Sequence, residues 1–134
     1  MKLYTVGLGC DRGAALETVR EAVHAALAEA GATPGQVLAA ATIVIKQDEA
    51  ALLAIARELD WPLRFYAAHE LAAVPVPHPS ETVLRHTGTP SVSEAAALLA
   101  AGPGTPMSAL VVEKYKYRGA DGRHATVSIA RKEP

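Results

Sequence analysis

Four basic residues are placed where they could bind a ligand that carries several negative charges. Arg12 follows a glycine-rich stretch, Lys46 follows an apolar run, and Lys114 and Lys116 alternate with tyrosines near the end of the chain. Alternate residues of a strand share one face, so the ammonium groups at 114 and 116 are expected to point the same way. Four cations around one cleft would attract a polyanion although the formal net charge is −1. The alternative for the lysine pair is a solvated sheet edge that discourages aggregation.

The glycine-rich stretch, with Gly7, Gly9 and Gly13, separates an apolar run from an amphipathic segment. The free N–H groups and the dipole of the helix predicted there favour a phosphate or carboxylate. The spacing departs from the dinucleotide fingerprint, and no Gly-Lys-Ser/Thr occurs, so neither nucleotide motif is predicted. A tight turn without a ligand is the other interpretation. Cys10 in this stretch is either a nucleophile with a lowered pKa or a small packed residue.

Two pairs of side chains are candidates for acid–base catalysis. Asp48 and Glu49 follow the second apolar run, while His78 and His86 flank Ser80 in a proline-rich segment. Carboxylates and imidazoles at a cleft can transfer protons near neutral pH. N-capping of a helix is an alternative explanation for Asp48, and a cap and turn for the region around Ser80.

Composition excludes several functional classes. The histidines and the single cysteine show neither H-E-x-x-H nor a Cys/His cluster, so we predict no metal and no cofactor. The near-neutral charge provides no general attraction to nucleic acid or anionic membranes, and no apolar run reaches membrane-spanning length. One cysteine cannot form an internal disulfide, which favours a cytoplasmic protein.

The elements that must position these residues follow from the hydrophobic pattern. Apolar runs at 3–8, 41–45 and 63–66 predict strands alternating with helices, and hence parallel pairing. Runs at 108–117 and 123–131 flank an Asp-Gly pair and predict an antiparallel hairpin. We therefore expect an α/β fold with three layers, α/β/α, and a mixed, mostly parallel sheet of about five strands.

Residues 1–134 are expected to form one domain. Ligands of such sheets bind beyond the carboxyl ends of the strands. Arg12, Lys46 and the residues that follow Tyr66 should therefore share one rim.

Several motifs, each weak alone, occur in a specific order along nearly the whole chain. They are Gly7-x-Gly9-Cys10-x-Arg12-Gly13, Lys46-x-Asp48-Glu49, Val76–Glu81 and Gly88–Ala96, followed by a lysine-bearing strand pair. In this the chain resembles the CobE / CbiG C-terminal domain family of cobalamin biosynthesis, in its short stand-alone form. The resemblance implies a precorrin-type tetrapyrrole as ligand. It also implies a relation to CbiG proteins, which open a ring-A lactone of a cobalt-precorrin and release acetaldehyde.

A precorrin is a large apolar macrocycle with many acetate and propionate carboxylates, which the predicted cations would bind. The proline-rich segment with Leu71, Val74 or Val76 could cover the ring. The residues expected to bind the ligand are Gly7, Gly9, Cys10, Arg12, Gly13, Lys46, Asp48, His78, Ser80, Thr89, Ser91, Lys114 and Lys116.

Three functional hypotheses remain open at this point. We favour a protein that binds or carries a precorrin intermediate in the aerobic pathway, because the sequence shows clustered cations and no recognisable triad. A hydrolase that opens a precorrin lactone, with its acid and base among Asp48, Glu49, His78 and His86, is the alternative. A non-catalytic partner of a precorrin methyltransferase is the third.

Overall fold

A computed structural model describes residues 1–133, which form a five-stranded sheet with the order β3-β2-β1-β5-β4. The strands are β1 (Leu3–Cys10), β2 (Val37–Ile43), β3 (Leu63–Tyr66), β4 (Leu110–Arg118) and β5 (His124–Lys132). The first three are parallel to one another, β5 is antiparallel to β1, and β4 is antiparallel to β5. The mixed, mostly parallel sheet with its C-terminal hairpin is therefore confirmed.

Helices cover both faces of the sheet. They are α1 (Leu16–Ala30), α2 (Ala50–Glu58), α3 (Ala68–Ala72), α4 (Glu81–Thr87) and α5 (Val92–Ala101), with 3-10 turns at Pro34–Gln36, Val44–Lys46 and Met107–Ala109. The apolar sides of α1 and α2 share one core with β1, β4 and β5, whereas α5 packs with α3 in a second core on the opposite face. The predicted three-layer architecture is confirmed. None of the helices in residues 1–133 has the length and hydrophobicity to cross a bilayer.

The residues of strand β1 explain why helix α5 lies so close to the sheet. Tyr4, Val6 and Leu8 enter the core beneath α1, while Thr5 and Gly7 face α5. The buried Thr5 hydroxyl donates to the Ala97 carbonyl of α5, at 2.8 Å. A Cβ at Gly7 would collide with the backbone of α5. The glycine therefore lets the helix lie directly on the sheet.

The second strand begins and ends earlier than predicted. It includes the buried Ala39–Ala41, whose small side chains lack the β-branched pattern that identifies a strand. Val44 and Ile45, which were expected in the strand, lie in the following 3-10 turn and are exposed.

Neither Asp48 nor Ser91 caps a helix with its side chain. Asp48 does not cap α2, because that helix begins at Ala50 after Glu49. Ser91 precedes α5, but its hydroxyl donates to the carboxylate of Glu94 at 2.9 Å and accepts no helix N–H. In contrast, Ser80 caps α4 as predicted by accepting the N–H of Val83.

Candidate functional site

A cleft of about 750 Å³ opens on the α5 face of the sheet, at the carboxyl ends of β1 and β2. Gly9 and Thr126 are cross-strand neighbours in its floor, where a Cβ on Gly9 would lie 2.6 Å from the Thr126 hydroxyl. Its walls are α4, the first turn of α5 and the end of β4. The lining residues are Gly9, Cys10, Asp11, Arg12, Ile43, Ile45, Lys46, Ser80, Thr82, Val83, His86, Thr87, Val92, Ser93, Lys114, Lys116, His124 and Thr126.

The structure brings together about half of the residues predicted to form a site. Those that line the cleft are Gly9, Cys10, Arg12, Lys46, Ser80, His86, Lys114 and Lys116. Those outside its lining are Gly7, Gly13, Asp48, Glu49, His78, Thr89 and Ser91. No residue between Tyr66 and Ser80 lines the cleft, so the rim expected after β3 is instead formed by α4.

Arg12 is not the free guanidinium that the sequence predicts. It donates to the Asp48 carboxylate at 2.9 Å and to the Ile45 carbonyl at 3.0 Å, and it lies 3.3 Å from Glu49. The hydrogen bond from Arg12 lowers the pKa of the Asp48 carboxyl below its ordinary value. The Glu49 side chain is 4% exposed, and its Oε1 lies 3.5 Å from Lys46 Nζ. Two of the four predicted cations therefore balance carboxylates of the protein itself.

The remaining two cations are available to a ligand. Within residues 1–133, neither Lys114 nor Lys116 forms an ion pair. Lys114 donates to the His78 carbonyl at 3.2 Å. Tyr115 and Tyr117 pack against the α1 core, so the lysines that alternate with them lie on the cleft face. The positive wall of the cleft is consequently the end of β4.

The N-terminus of α1 is already occupied by an acidic side chain. Asp121, in the hairpin turn, accepts the Ala15 N–H at 2.8 Å and the Thr18 hydroxyl at 3.0 Å. Hydrogen bonds from the Ala15 and Arg123 N–H groups lower the pKa of the Asp121 carboxyl. The Gly13 N–H donates to Glu49 at 3.0 Å. Carboxylates of the protein itself therefore occupy the anion site that the sequence predicts after the glycine-rich stretch. The stretch forms a tight turn.

A different helix presents its N-terminus to the cleft. Val92 and Ser93, in the first turn of α5, both line it, and the Ser91 side chain caps none of the first N–H groups. The positive end of a helix dipole favours negative charge within its first turn. Glu94, a buried acidic residue of the same turn, already lies at this end of the helix dipole, so the attraction of the cleft for an anion rests on the two lysines.

Cys10 is a poor nucleophile in this setting. Burial raises the pKa of its thiol to about 11, an effect that the positive charge of Lys46 only partly opposes. The thiol therefore stays protonated at neutral pH, whereas nucleophilic cysteines act as thiolates. Of the two interpretations of Cys10, the structure favours the small packed residue.

His78 does not line the cleft, but connects the proline-rich segment to β4 and α5. Its Nε2 lies 2.8 Å from Glu113 Oε1, and its backbone N–H donates to Glu94 at 3.3 Å. Glu94, Thr89 and Ser91 are buried beside this segment. The role of His78 in the structure is thus to hold residues 74–80 against β4 and α5.

The sequence suggested that Leu71, Val74 or Val76 covers the ligand, but none of the three lines the cleft. All three pack in the core around α5, where Leu71 is fully buried. The apolar part of the cleft is instead formed by other residues, which are Ile43, Ile45, Val83 and Val92.

The sequence interpretation missed a carboxylate–imidazole pair in the cleft. The ring nitrogen Nδ1 of His124 lies 3.1 Å from Asp11 Oδ2. The backbone N–H of His124 donates to the same carboxylate oxygen at 2.7 Å. These hydrogen bonds lower the pKa of Asp11 although its partial burial opposes ionisation. The two residues are 113 positions apart, so no local spacing indicates the pair. Only the position of His124 at the start of a predicted strand, next to the glycine-rich turn, could have suggested it.

In the part of the chain that the structure describes, no three His, Cys, Asp or Glu side chains converge in the way that metal ligands do.

Comparison with known proteins assigns the family. A family model described as "Cobalamin synthesis G C-terminus" (CbiG_C) matches residues 4–130. Protein CobE of Sinorhizobium sp. is 36% identical over 127 residues, which cover 93% of this chain and 77% of that protein. Cobalt-precorrin-5A hydrolase of Priestia megaterium is 36% identical over 104 residues, or 78% of this chain. The chain spans only 28% of that hydrolase's length.

Solved structures show the same fold. The crystal structure of CobE superposes with a TM-score of 0.77 at 34% identity, covering 97% of this chain and 90% of the other. The cobalamin biosynthesis protein chiG from Agrobacterium tumefaciens gives 0.64 at 34% identity, with 94% and 97% covered. A cobalamin biosynthesis protein G homolog from Sulfolobus solfataricus is similar in fold, at 0.71 and 21% identity. The chain belongs to the CbiG C-terminal family of cobalamin biosynthesis proteins.

Proposed function

We propose that the cleft binds a precorrin-type tetrapyrrole and that the chain acts as a binding or carrier protein in cobalamin biosynthesis. The observation that carries the proposal is the pair Lys114 and Lys116, which line the cleft without a carboxylate partner in residues 1–133. Acetate and propionate groups on the edge of a macrocycle are the anions that such ammonium groups recognise.

The remaining lining suits the other parts of the same ligand. A volume of about 750 Å³ falls within the roughly 300–1,000 Å³ that is typical of small-molecule and cofactor sites. Ile45 and Val83 offer apolar contact for the ring, and Thr82 adds a hydroxyl for its polar substituents. The combination of an apolar surface with two cations at one wall favours a flat ligand with acids at its edge.

The related proteins support a role in cobalamin biosynthesis more strongly than they support a particular reaction. The Priestia protein is named as a hydrolase of cobalt-precorrin-5A, but this chain corresponds to only 28% of it. The name CobE specifies no reaction. Of the acid–base candidates from the sequence, Asp48 pairs with Arg12 and His78 with Glu113. We therefore rank the carrier above the lactone hydrolase and above the partner of a methyltransferase.

Binding can be tested with uroporphyrin, a stable tetrapyrrole that carries acetate and propionate groups, and with its fully methylated ester as control. We expect uroporphyrin to shift its absorption band on titration with the protein and the ester to give no shift, since esterification removes the charges. Equal binding of both compounds, or of neither, would refute the proposal. Unchanged mass of a bound precorrin after incubation would support a carrier, whereas a hydrolytic mass change would support the enzyme.

A further inference from the structure

His124 presents one nitrogen of its ring to the cleft. An ionised carboxylate only accepts hydrogen bonds, so the contact of Asp11 Oδ2 with His124 Nδ1 places the proton of the neutral imidazole on Nδ1. The lone pair is then on Nε2, which has no hydrogen-bond partner in residues 1–133. The His124 side chain is 39% exposed and lines the cleft. Nε2 is therefore a donor atom that a ligand in the cleft can reach.

Hydrogen bonds between Asp11 and His124 hold the imidazole in one orientation. Besides the contact with Nδ1, the Asp11 carboxylate accepts the His124 backbone N–H at 2.7 Å, and the Asp11 N–H donates to the His124 carbonyl at 2.9 Å. Histidines that ligate metals almost always donate their other ring N–H to a carboxylate, a carbonyl or water, which fixes the tautomer and makes the ligating nitrogen more basic. The pair of Asp11 and His124 has this arrangement.

The protein by itself offers a metal ion too few ligands at this position. Within residues 1–133, no three His, Cys, Asp or Glu side chains converge as a metal site requires. A metal ion that binds His124 must therefore bring its other ligands with it. A tetrapyrrole does so, because its four nitrogens surround a metal ion in one plane and leave the positions above and below that plane open. One histidine is sufficient to fill such an axial position, as in haem proteins.

We propose that His124 Nε2 is an axial ligand to the metal ion of a metallated tetrapyrrole in the cleft, with Asp11 as its positioning residue. The proposal rests on the proposed function of the cleft and adds that the cleft prefers the metallated form of its ligand. Lys116 is the cross-strand partner of Thr126, which makes it a diagonal neighbour of His124, at roughly 7–8 Å. A carboxylate on the edge of the macrocycle can therefore contact Lys116 while the metal at its centre binds His124.

His86 is the other imidazole in the cleft lining, and it lacks the support that Asp11 gives to His124. It lies in the last turn of α4, is exposed, and its ring forms no hydrogen bond within residues 1–133. Ordering this free side chain on a metal would cost conformational entropy, whereas the ring of His124 is already ordered. The structure therefore favours His124 as the ligand.

The first test compares metal-free uroporphyrin with its cobalt(II) complex, because the two compounds carry the same carboxylates and differ only at the centre. We expect the native protein to bind the cobalt(II) complex more tightly by about tenfold or more. His124→Gln should bind both compounds equally, with the affinity for metal-free uroporphyrin unchanged. Asp11→Asn should reduce the preference for the cobalt(II) complex, since the ring loses its orienting carboxylate. Equal binding of both compounds by the native protein would overturn the proposal.

Electron paramagnetic resonance of the bound cobalt(II) complex, recorded without oxygen, identifies the ligand itself. One axial nitrogen splits each cobalt line into a triplet, and ¹⁵N-labelling of the histidines should convert the triplet into a doublet. We expect this change in the native protein and in His69→Gln, which removes an exposed imidazole outside the cleft lining. The splitting should disappear in His124→Gln, and its persistence there would refute the assignment.

The two proposals fail in different ways. If both compounds bind but no nitrogen splitting is seen, the axial ligand is refuted and the tetrapyrrole-binding cleft is retained. If neither compound binds, the proposed function of the cleft is refuted together with the axial ligand.

Discussion

Gly7 lies directly beneath the backbone carbonyl of Ser93, so that strand β1 and helix α5 meet through their main chains. This approach fixes the height of α5 above the sheet. Because Val92 and Ser93 line the cleft, it also sets the distance between the helix and the cleft floor at Gly9. The first glycine of the glycine-rich stretch therefore shapes the site although it lies outside the cleft lining.

Gly7→Ala should force α5 away from the sheet. The added Cβ meets backbone atoms, which cannot rotate aside as a side chain could. We expect the free energy of unfolding to fall by about 2–3 kcal/mol, measured by urea denaturation. Gly35→Ala is a matched control, because a Cβ there would meet only the Thr33 hydroxyl at 4.0 Å. Equal stabilities of the two variants would show that the close contact is not required.

Lys116→Ala should weaken binding of uroporphyrin by about tenfold, since it removes a charge-assisted contact to a carboxylate. The affinity should also depend less on ionic strength in this variant, because one screened interaction is lost. The comparison is Lys2→Ala, which removes an exposed lysine outside the cleft lining. If both variants bind equally well, the end of β4 is not the carboxylate-binding wall.

The reactivity of Cys10 should rise steeply with pH. A thiol whose pKa is about 11 is roughly 0.1% thiolate at pH 8, so alkylation by iodoacetamide should be slow there and increase about tenfold per pH unit. The pKa is raised in the folded state, so the native protein holds more protons between pH 9 and 11 and loses stability over that window. Rapid alkylation of the native protein at pH 7 would contradict this description.

Asp121→Ala should destabilise the N-terminus of α1. The substitution leaves the Ala15 N–H and the Thr18 hydroxyl without their acceptor, so we expect a lower Tm. The pKa of Asp121 is lowered by folding, so its contribution is present above the unfolded pKa and is lost as pH falls through the folded one. The Tm difference between the native protein and the variant should therefore shrink in acid. Glu29→Ala, on the exposed side of α1, should have little effect at either pH.

The order and type of the main elements could be predicted from the sequence, because they depend on neighbours a few positions away. The run Leu63–Tyr66 is a strand, Ser80 caps α4, and the Asp-Gly pair lies in the hairpin turn between β4 and β5. The exception is the alanine-rich part of β2, where tertiary burial outweighs local propensity. The ordered motifs were also sufficient to indicate the family.

Only the tertiary structure decided which charged groups are available to a ligand. Arg12 and Asp48, and likewise Asp11 and His124, are far apart in the chain and meet because strands and turns bring them together. Asp121 reaches the first turn of α1 in the same way and occupies the anion site that the sequence predicts. Residue types and spacing within one segment do not indicate partners that are distant in the chain. The basic residues could therefore be named from the sequence, but whether each one is free or paired depends on the fold.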